Sequence, residues 1–219
     1  MAVAFGATST TLAGASRANT DPLEPSGVGA GDGAVVVLYV EDDVSVTKDG
    51  SGWTLIAQID HSAQPFDIYV WYNVNADGAD FGTTHTTAFS SAAAFEVSGH
   101  DTSNFLDPAI ATSNQGTGAT GTATGITTTA DNTMLVGVFG NWDFLNSWAS
   151  YSAPLVEVID TEPLAVANGL QVSAGASGNK TATLSGGGTL EWTAMLFGIK
   201  EAAAGTTTRR YSLPLTGLG

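Results

Sequence analysis

The chain contains no cysteine, which excludes disulfides, thiolate catalysis and cysteine-ligated zinc. Cations are nearly as scarce, with six Lys and Arg against 21 Asp and Glu and a formal net charge of −15. Binding to nucleic acid rests on clustered Lys and Arg that neutralise phosphates, so neither nucleic acid nor an anionic membrane is expected as a partner. Charged residues of both signs make up only 12%, about half of the roughly 25% that is usual. Thr, Ser, Asn and Gly must therefore carry much of the surface. No run of 18 apolar residues is present, so no transmembrane helix is expected. The opening Met1-Ala2-Val3-Ala4-Phe5-Gly6 lacks the basic and apolar regions of a signal peptide. The expectation is a chain made in a cytoplasm that leaves, if at all, by lysis.

Sustained helical periodicity is also missing. Short β-branched and aromatic runs take its place, separated by Gly, Asn and Asp. The clearest are Ala34–Val40, Trp53–Asp60, Asp67–Val74, Ala93–Val97, Thr133–Phe139, Leu155–Ile159 and Leu190–Ile199. Weaker ones are Ala2–Phe5, Gly121–Ile126, Gly169–Ala174 and Lys180–Leu184. Asp32-Gly33, Asp49-Gly50, Asp77-Gly78, Asn168-Gly169 and Gly186-Gly187-Gly188 supply tight-turn chemistry. Together they predict an all-β fold of about eight to eleven strands, an antiparallel two-sheet β-sandwich (jelly-roll-like) with extended N- and C-terminal arms. The expected division is 1–28 as N-terminal strand and arm, 29–200 as sandwich, and 201–219 as a C-terminal docking arm.

Val35–Leu38 is apolar at every position, so this strand should be buried on both faces. In Asp67–Val74 the alternation sends Ile68, Val70, Tyr72 and Val74 one way and Tyr69, Trp71 and Asn73 the other. Tyr69 and Trp71 then form either a second packed layer or an exposed platform, and general burial preferences favour packing. Ala7–Val28, Ser98–Gly121 and Gly140–Ser152 show no strand pattern and read as long loops or arms. The last holds Trp142, Phe144, Trp148 and Tyr151, aromatics that either plug an end of the sandwich or make contacts.

Motifs for catalysis are weak. Gly116–Gly121 fits G-x-G-x-x-G and Gly29–Ala34 its G/A variant, but neither stands between a strand and a helix as a dinucleotide site needs. His61, His85 and His100 are scattered and share no zinc motif. Glu96 and Glu157 are the strand-borne acids that a glycosidase would have to pair, and an ordinary acidic surface explains them as well. Oxygen-rich Asn75–Asp80 and Glu41-Asp42-Asp43 suggest calcium more than zinc, yet neither completes an EF-hand loop. No catalytic residue, metal site or cofactor is nominated.

The sequence ends unlike the rest of itself. After the soft spacer Ala202–Thr208, two adjacent cations, Arg209 and Arg210, precede Tyr211, Leu213, Leu215 and Leu218. These six residues are the candidate partner-binding set, basic and apolar against an acidic body. Trp142, Trp148 and Tyr151 are the candidate glycan-binding aromatics.

Gly27-Val28-Gly29-Ala30-Gly31-Asp32, an apolar strand, Gly52-Trp53-Thr54-Leu55-Ile56 and Tyr69-Val70-Trp71-Tyr72 form a series. It resembles one found in a diffuse group of tailed-bacteriophage β-sandwich proteins, whose later halves carry segments like Gly125–Val136 and Thr181–Leu184. The resemblance covers roughly Gly27 to Lys200, and the Arg209–Gly219 end is similar to C-terminal tails of phage structural proteins. It implies a non-enzymatic virion component: a capsid-surface decoration or cement subunit, a head fibre, or a tail or baseplate part. The implied partners are other virion proteins (the major capsid protein or tail proteins) and further copies of the chain, a trimer being the expected form. Since the group shares no catalytic residues, no site carries over. The alternative is a carbohydrate-binding module of a tail, baseplate or fibre.

Overall fold

A computed structural model describes residues 2–11, 16–108, 110–143 and 145–203. Its first half forms β1 (Ala4–Thr11), β2 (Ser16–Thr20), β3 (Gly33–Glu41), β4 (Val46–Lys48), β5 (Thr54–Asp60), β6 (Phe66–Asn73) and β7 (Thr83–Ser98). Then come β8 (Thr112–Gly118), β9 (Thr120–Ala123), β10 (Thr127–Thr128), β11 (Thr133–Asn141), β12 (Trp148–Ala149) and β13 (Val156–Asp160). The last are β14 (Leu164–Gln171), β15 (Gly175–Ala176), β16 (Lys180–Leu184) and β17 (Leu190–Ile199). The described residues contain no helix, and the fold is all-β.

Two antiparallel sheets form the body. The first runs β1-β7-β3-β6-β5, with β2 and β4 pairing the front half of β7; the second runs β13-β14-β11-β17-β8. Alternation along β3 and β6 decides how they stack. Val35, Val37, Ile68 and Val70 join Val136, Val138, Val166 and Phe197 of the second sheet in one buried cluster. This shared core lies between the two sheets, as in a sandwich. Val36, Leu38, Tyr69 and Trp71 point the opposite way, into a separate cluster with Phe81, Ala88 and Ala92. The doubly apolar Val35–Leu38 run is thus buried on both faces, as its composition required.

A third cluster covers the far face of the second sheet. There Leu135, Phe139, Ala165, Ala167 and Leu196 pack under Trp148, Ala182 and Leu184, contributed in part by the small sheet β12-β16-β9. Glycines permit this close layering. A Cβ on Gly121 would stand 2.8 Å from the Trp148 ring, and one on Gly116 2.7 Å from Trp192. The G-x-G-x-x-G match is therefore a packing seam across β8 and β9, where backbone must approach indole.

Three segments read as loops contain strands. The N-terminal stretch supplies β1, which pairs Ala4 with Ser98 through Thr11 with Ala92, and β2, which pairs Ser16 with Phe89. Within the chain it is a sheet member, and its own β7 takes the strand that an arm would lend to a neighbour. The Ser98–Gly121 stretch contains β8, hydrogen-bonded along β17 from Leu190–Gly118 to Leu196–Thr112, and Gly140–Ser152 contains the short β12. These strands are Thr-, Ser-, Ala- and Gly-rich, so they carry little apolar signal. The β7 partner is itself 16 residues long.

Candidate functional site

A concavity lies on the outer face of the first sheet. Cross-strand register builds it: Leu55 sits opposite Trp71, Gln58 opposite Tyr69, and Asp60 opposite Asp67. Because Asp67, Tyr69 and Trp71 are two residues apart on β6, all three side chains emerge on one face. Asp43, Val44, Ser45 and Val46, just beyond the β3 end, form the other wall of a groove of about 430 Å³. A second hollow of about 400 Å³ shares Asp43 and Asp60 and continues along His61–Pro65.

The floor of the groove is aromatic. The Tyr69 and Trp71 rings stack with centroids 5.4 Å apart and planes 5° from parallel. Only 7% and 6% of these residues is exposed, so they are chiefly a packed layer that shows its edges to the groove. Gln58 and Asp60 above them are exposed.

Asp67 is the unusual group. It is buried, and its carboxylate accepts long hydrogen bonds from the Tyr69 hydroxyl (3.4 Å) and the Gln58 amide (3.5 Å). Burial pushes the carboxyl up, Asp60 and Asp43 add repulsion, and those two donors offset only part of it, leaving a value of about 6. Burial, with Asp67 beside it, likewise raises the Tyr69 phenol to about 12. Above the turn, burial and Asp42 push Glu41 up to about 7 against the Tyr39 hydrogen bond. Carboxylates gathered around an aromatic floor can accept hydrogen bonds from hydroxyls.

The other expected site residues are dispersed. Trp148 is 1% exposed and packs on Phe139 at 5.7 Å; Tyr151 meets the same ring at 5.8 Å. Both belong to the cluster on the far face of the second sheet. Trp142 instead stacks on Phe66 at 5.8 Å and packs against the central core. The sheet therefore stands between Trp142 and the other two, and the three present no common face to a sugar. They act as plugs. Burying an indole the size of Trp148 contributes roughly 4–5 kcal/mol at about 25 cal/mol per Å², which opposes its turning outward.

The histidines are separate too. His61 accepts from the Ala63 and Gln64 amides. His85 bonds Thr20 and the Thr86 carbonyl, and His100 lies between the Val97 and Val74 carbonyls. Among the described residues no group of three or more His, Asp or Glu side chains is placed to hold a metal ion. Glu96 lies on β7 and Glu157 on β13, in different sheets. Arg209, Arg210, Tyr211, Leu213, Leu215 and Leu218 lie outside the described residues.

One buried carboxylate escaped notice in the sequence. Asp107 accepts from the Thr129 and Ala130 amides and from the Thr129 and Thr133 hydroxyls at 2.5–3.0 Å. Burial pushes it up, but these donors outweigh burial and hold it below the ordinary range. It anchors the segment before β11, and all four donors fix it as structural. Only the Asp-Pro dipeptide hinted at it.

No family model, curated protein or solved structure matches this chain.

Proposed function

We propose that this protein is a non-enzymatic structural subunit of a bacteriophage particle, a capsid-surface decoration or cement protein that attaches through its C-terminal tail. The observation that carries the reading is an apolar association surface at one edge of the second sheet. Three apolar clusters absorb most of the large side chains, yet four apolar residues, Val156, Val158, Leu170 and Val172, gather 37–68% exposed at this edge. The phage resemblance adds support, since its glycines stand where the backbone needs them. Gly27, Gly31 and Gly52 all have positive φ, a region other residues enter at a cost. Without cysteine the chain is indifferent to redox state, so its fold holds equally inside and outside a reducing cell.

Electron microscopy of particles carrying the chain tests this reading. The expected result is density for the body on the capsid surface, lost when 209–219 is deleted. Particles that keep the subunit after that deletion would refute attachment through the tail.

Carbohydrate binding is the second reading, favoured by the groove over Tyr69 and Trp71. Aromatic edges with Gln58, Asp60 and Asp43 offer both apolar contact and hydroxyl acceptors. Glycan-array binding abolished by Gln58→Ala with Asp60→Ala would support it, and an array without signal would exclude it.

A further inference from the structure

Three of the exposed apolar residues, Val156, Leu170 and Val172, form one surface at the second sheet's edge. Val156 on β13 pairs Asn168, and Leu170 lies two residues further along the same face of β14. That face is the core-facing one, because Leu164 and Val166 at the same parity belong to the central cluster. Val172 continues the stripe, and its carbonyl accepts from the Asn132 amide. Beside the stripe, β13 ends the second sheet and, among the described residues, pairs only β14. An unpaired edge flanked by exposed valines is a template for another strand.

The edge is selective about what it accepts. A register shift between Glu157 and Ile159 marks a bulge, and Glu157 adds charge; both hinder flat edge-to-edge pairing between identical sheets. A short separate strand fits better, and this chain carries one. Tyr211, Leu213 and Leu215 alternate with Ser212, Pro214 and Thr216, a period of two that puts the apolar three on one face. In a strand, alternate residues also direct their backbone groups to the same side. If Tyr211, Leu213 and Leu215 bond to β13, Pro214, which has no N–H, faces away and stops further strand addition. Arg209 and Arg210 then arrive beside Asp160 and Glu162, and Glu157 lies along the edge.

Direction decides whose tail this is. Every strand ladder among the described residues is antiparallel, including β13 with β14. An antiparallel newcomer must enter at the Asp160 end of β13. The described chain instead stops at the other end, where Ala202 and Ala203 share a hollow with Asn132, the partner of Val172. From Val172 to the register of Asp160 is roughly 23 Å along the sheet at about 3.3 Å per residue. Residues 204–210, fully extended, span about that distance and leave nothing for the reversal.

We infer that residues 209–216 of a second copy of this chain add to β13 as an antiparallel strand, seating Tyr211, Leu213 and Leu215 on the Val156–Leu170–Val172 stripe. This deepens the assembly reading by giving the tail an address on its own kind. It is tested in purified protein, so its failure would not by itself decide attachment to particles.

Two full-length double variants make the test, Leu213→Asp with Leu215→Asp in the tail and Val156→Lys with Val158→Lys at the edge. Circular dichroism checks that each retains the fold. By size exclusion with light scattering, the unaltered chain should run as a multimer of its 22.2 kDa mass and each variant as a monomer. An equimolar mixture of the two should regain a dimer, since one intact tail then meets one intact edge. A monomeric unaltered chain, a variant that keeps the original mass, or a mixture that stays monomeric would each overturn the inference; the last is also the result if each tail folds onto its own chain.

Discussion

Asp67→Asn should stabilise this protein at neutral pH. The carboxyl sits near 6 in the folded chain rather than at the ordinary 3.8, so folding favours its neutral form. A shift of about two units corresponds to roughly 3 kcal/mol at 1.36 kcal/mol per unit. The groove is open to water, and screening reduces that figure to about 1–2 kcal/mol. The sign follows from the direction. The contribution of a raised carboxyl is fully present below its unfolded value, near pH 4, and is lost as pH rises through about 6. Asparagine keeps an acceptor for Gln58 while removing the charge that repels Asp60 and Asp43. Urea unfolding of both proteins at pH 4, 5, 6 and 7.5 measures the effect. The difference between them should start near zero and grow to about 1–2 kcal/mol in favour of the variant by pH 7.5. Other carboxylates titrate alike in both proteins and cancel. A difference that is flat with pH, or that favours the aspartate at pH 7.5, would refute the claim that the groove holds a reluctantly charged Asp67.

Asp107→Asn should do the opposite, costing about 2–4 kcal/mol, because an amide group would face the Ala130 and Thr133 donors and leave them unsatisfied. The stabilisation by Asp107 is present above the ordinary carboxyl range and lost as pH falls through the depressed folded value. The gap between the two proteins in urea should therefore shrink in strong acid, and a neutral-pH cost below about 1 kcal/mol would count against the anchoring role. Gly121→Ala places a methyl 2.8 Å from the Trp148 ring and should cost about 1–3 kcal/mol through overpacking. A melting temperature unchanged from that of the original chain would mean that the third cluster has slack.

Which parts of this molecule could be read in advance follows from where the large apolar side chains went. Strands β3, β6, β11 and β17 carry the central core, and all four also face a second cluster, so their runs of Val, Ile, Leu and Phe stood out. The two-way split of β6 came directly from alternation, and packing of Tyr69 and Trp71 outweighs their exposure. Strands β1, β2 and β8 were silent because Thr, Ser, Gly and Ala satisfy a ladder without advertising a face. The front half of β7 was silent for the same reason. Its Thr83–Thr87 segment has no apolar side chain, and backbone pairing to β2 and β4 defines it. The aromatics of Gly140–Ser152 were visible as a group, but sequence proximity could not reveal that a sheet would separate Trp142 from Trp148 and Tyr151. The groove was hidden differently. Asp43, Asp60 and Asp67 are ordinary acids until the register of β5 against β6 brings them around two aromatic edges.

The groove and the β13 edge belong to different sheets and share no residue, which makes the two functional readings separable. Gln58 and Asp60 are exposed on the outer face of the first sheet, whereas Val156 and Val158 lie at the rim of the second. Changes this far apart, with no common partner, should act independently. A glycan-binding fibre component would thus lose ligand through Gln58→Ala with Asp60→Ala while its subunit mass stayed the same. A cement subunit would lose its mass through Val156→Lys with Val158→Lys while the groove kept its pH-dependent signature at Asp67. If the edge variant also abolished the pH dependence, the sheets would be coupled through the central core, where Ile68, immediately beside Asp67, meets the second sheet at Gly140. Assembly state and groove electrostatics would then be one equilibrium rather than two.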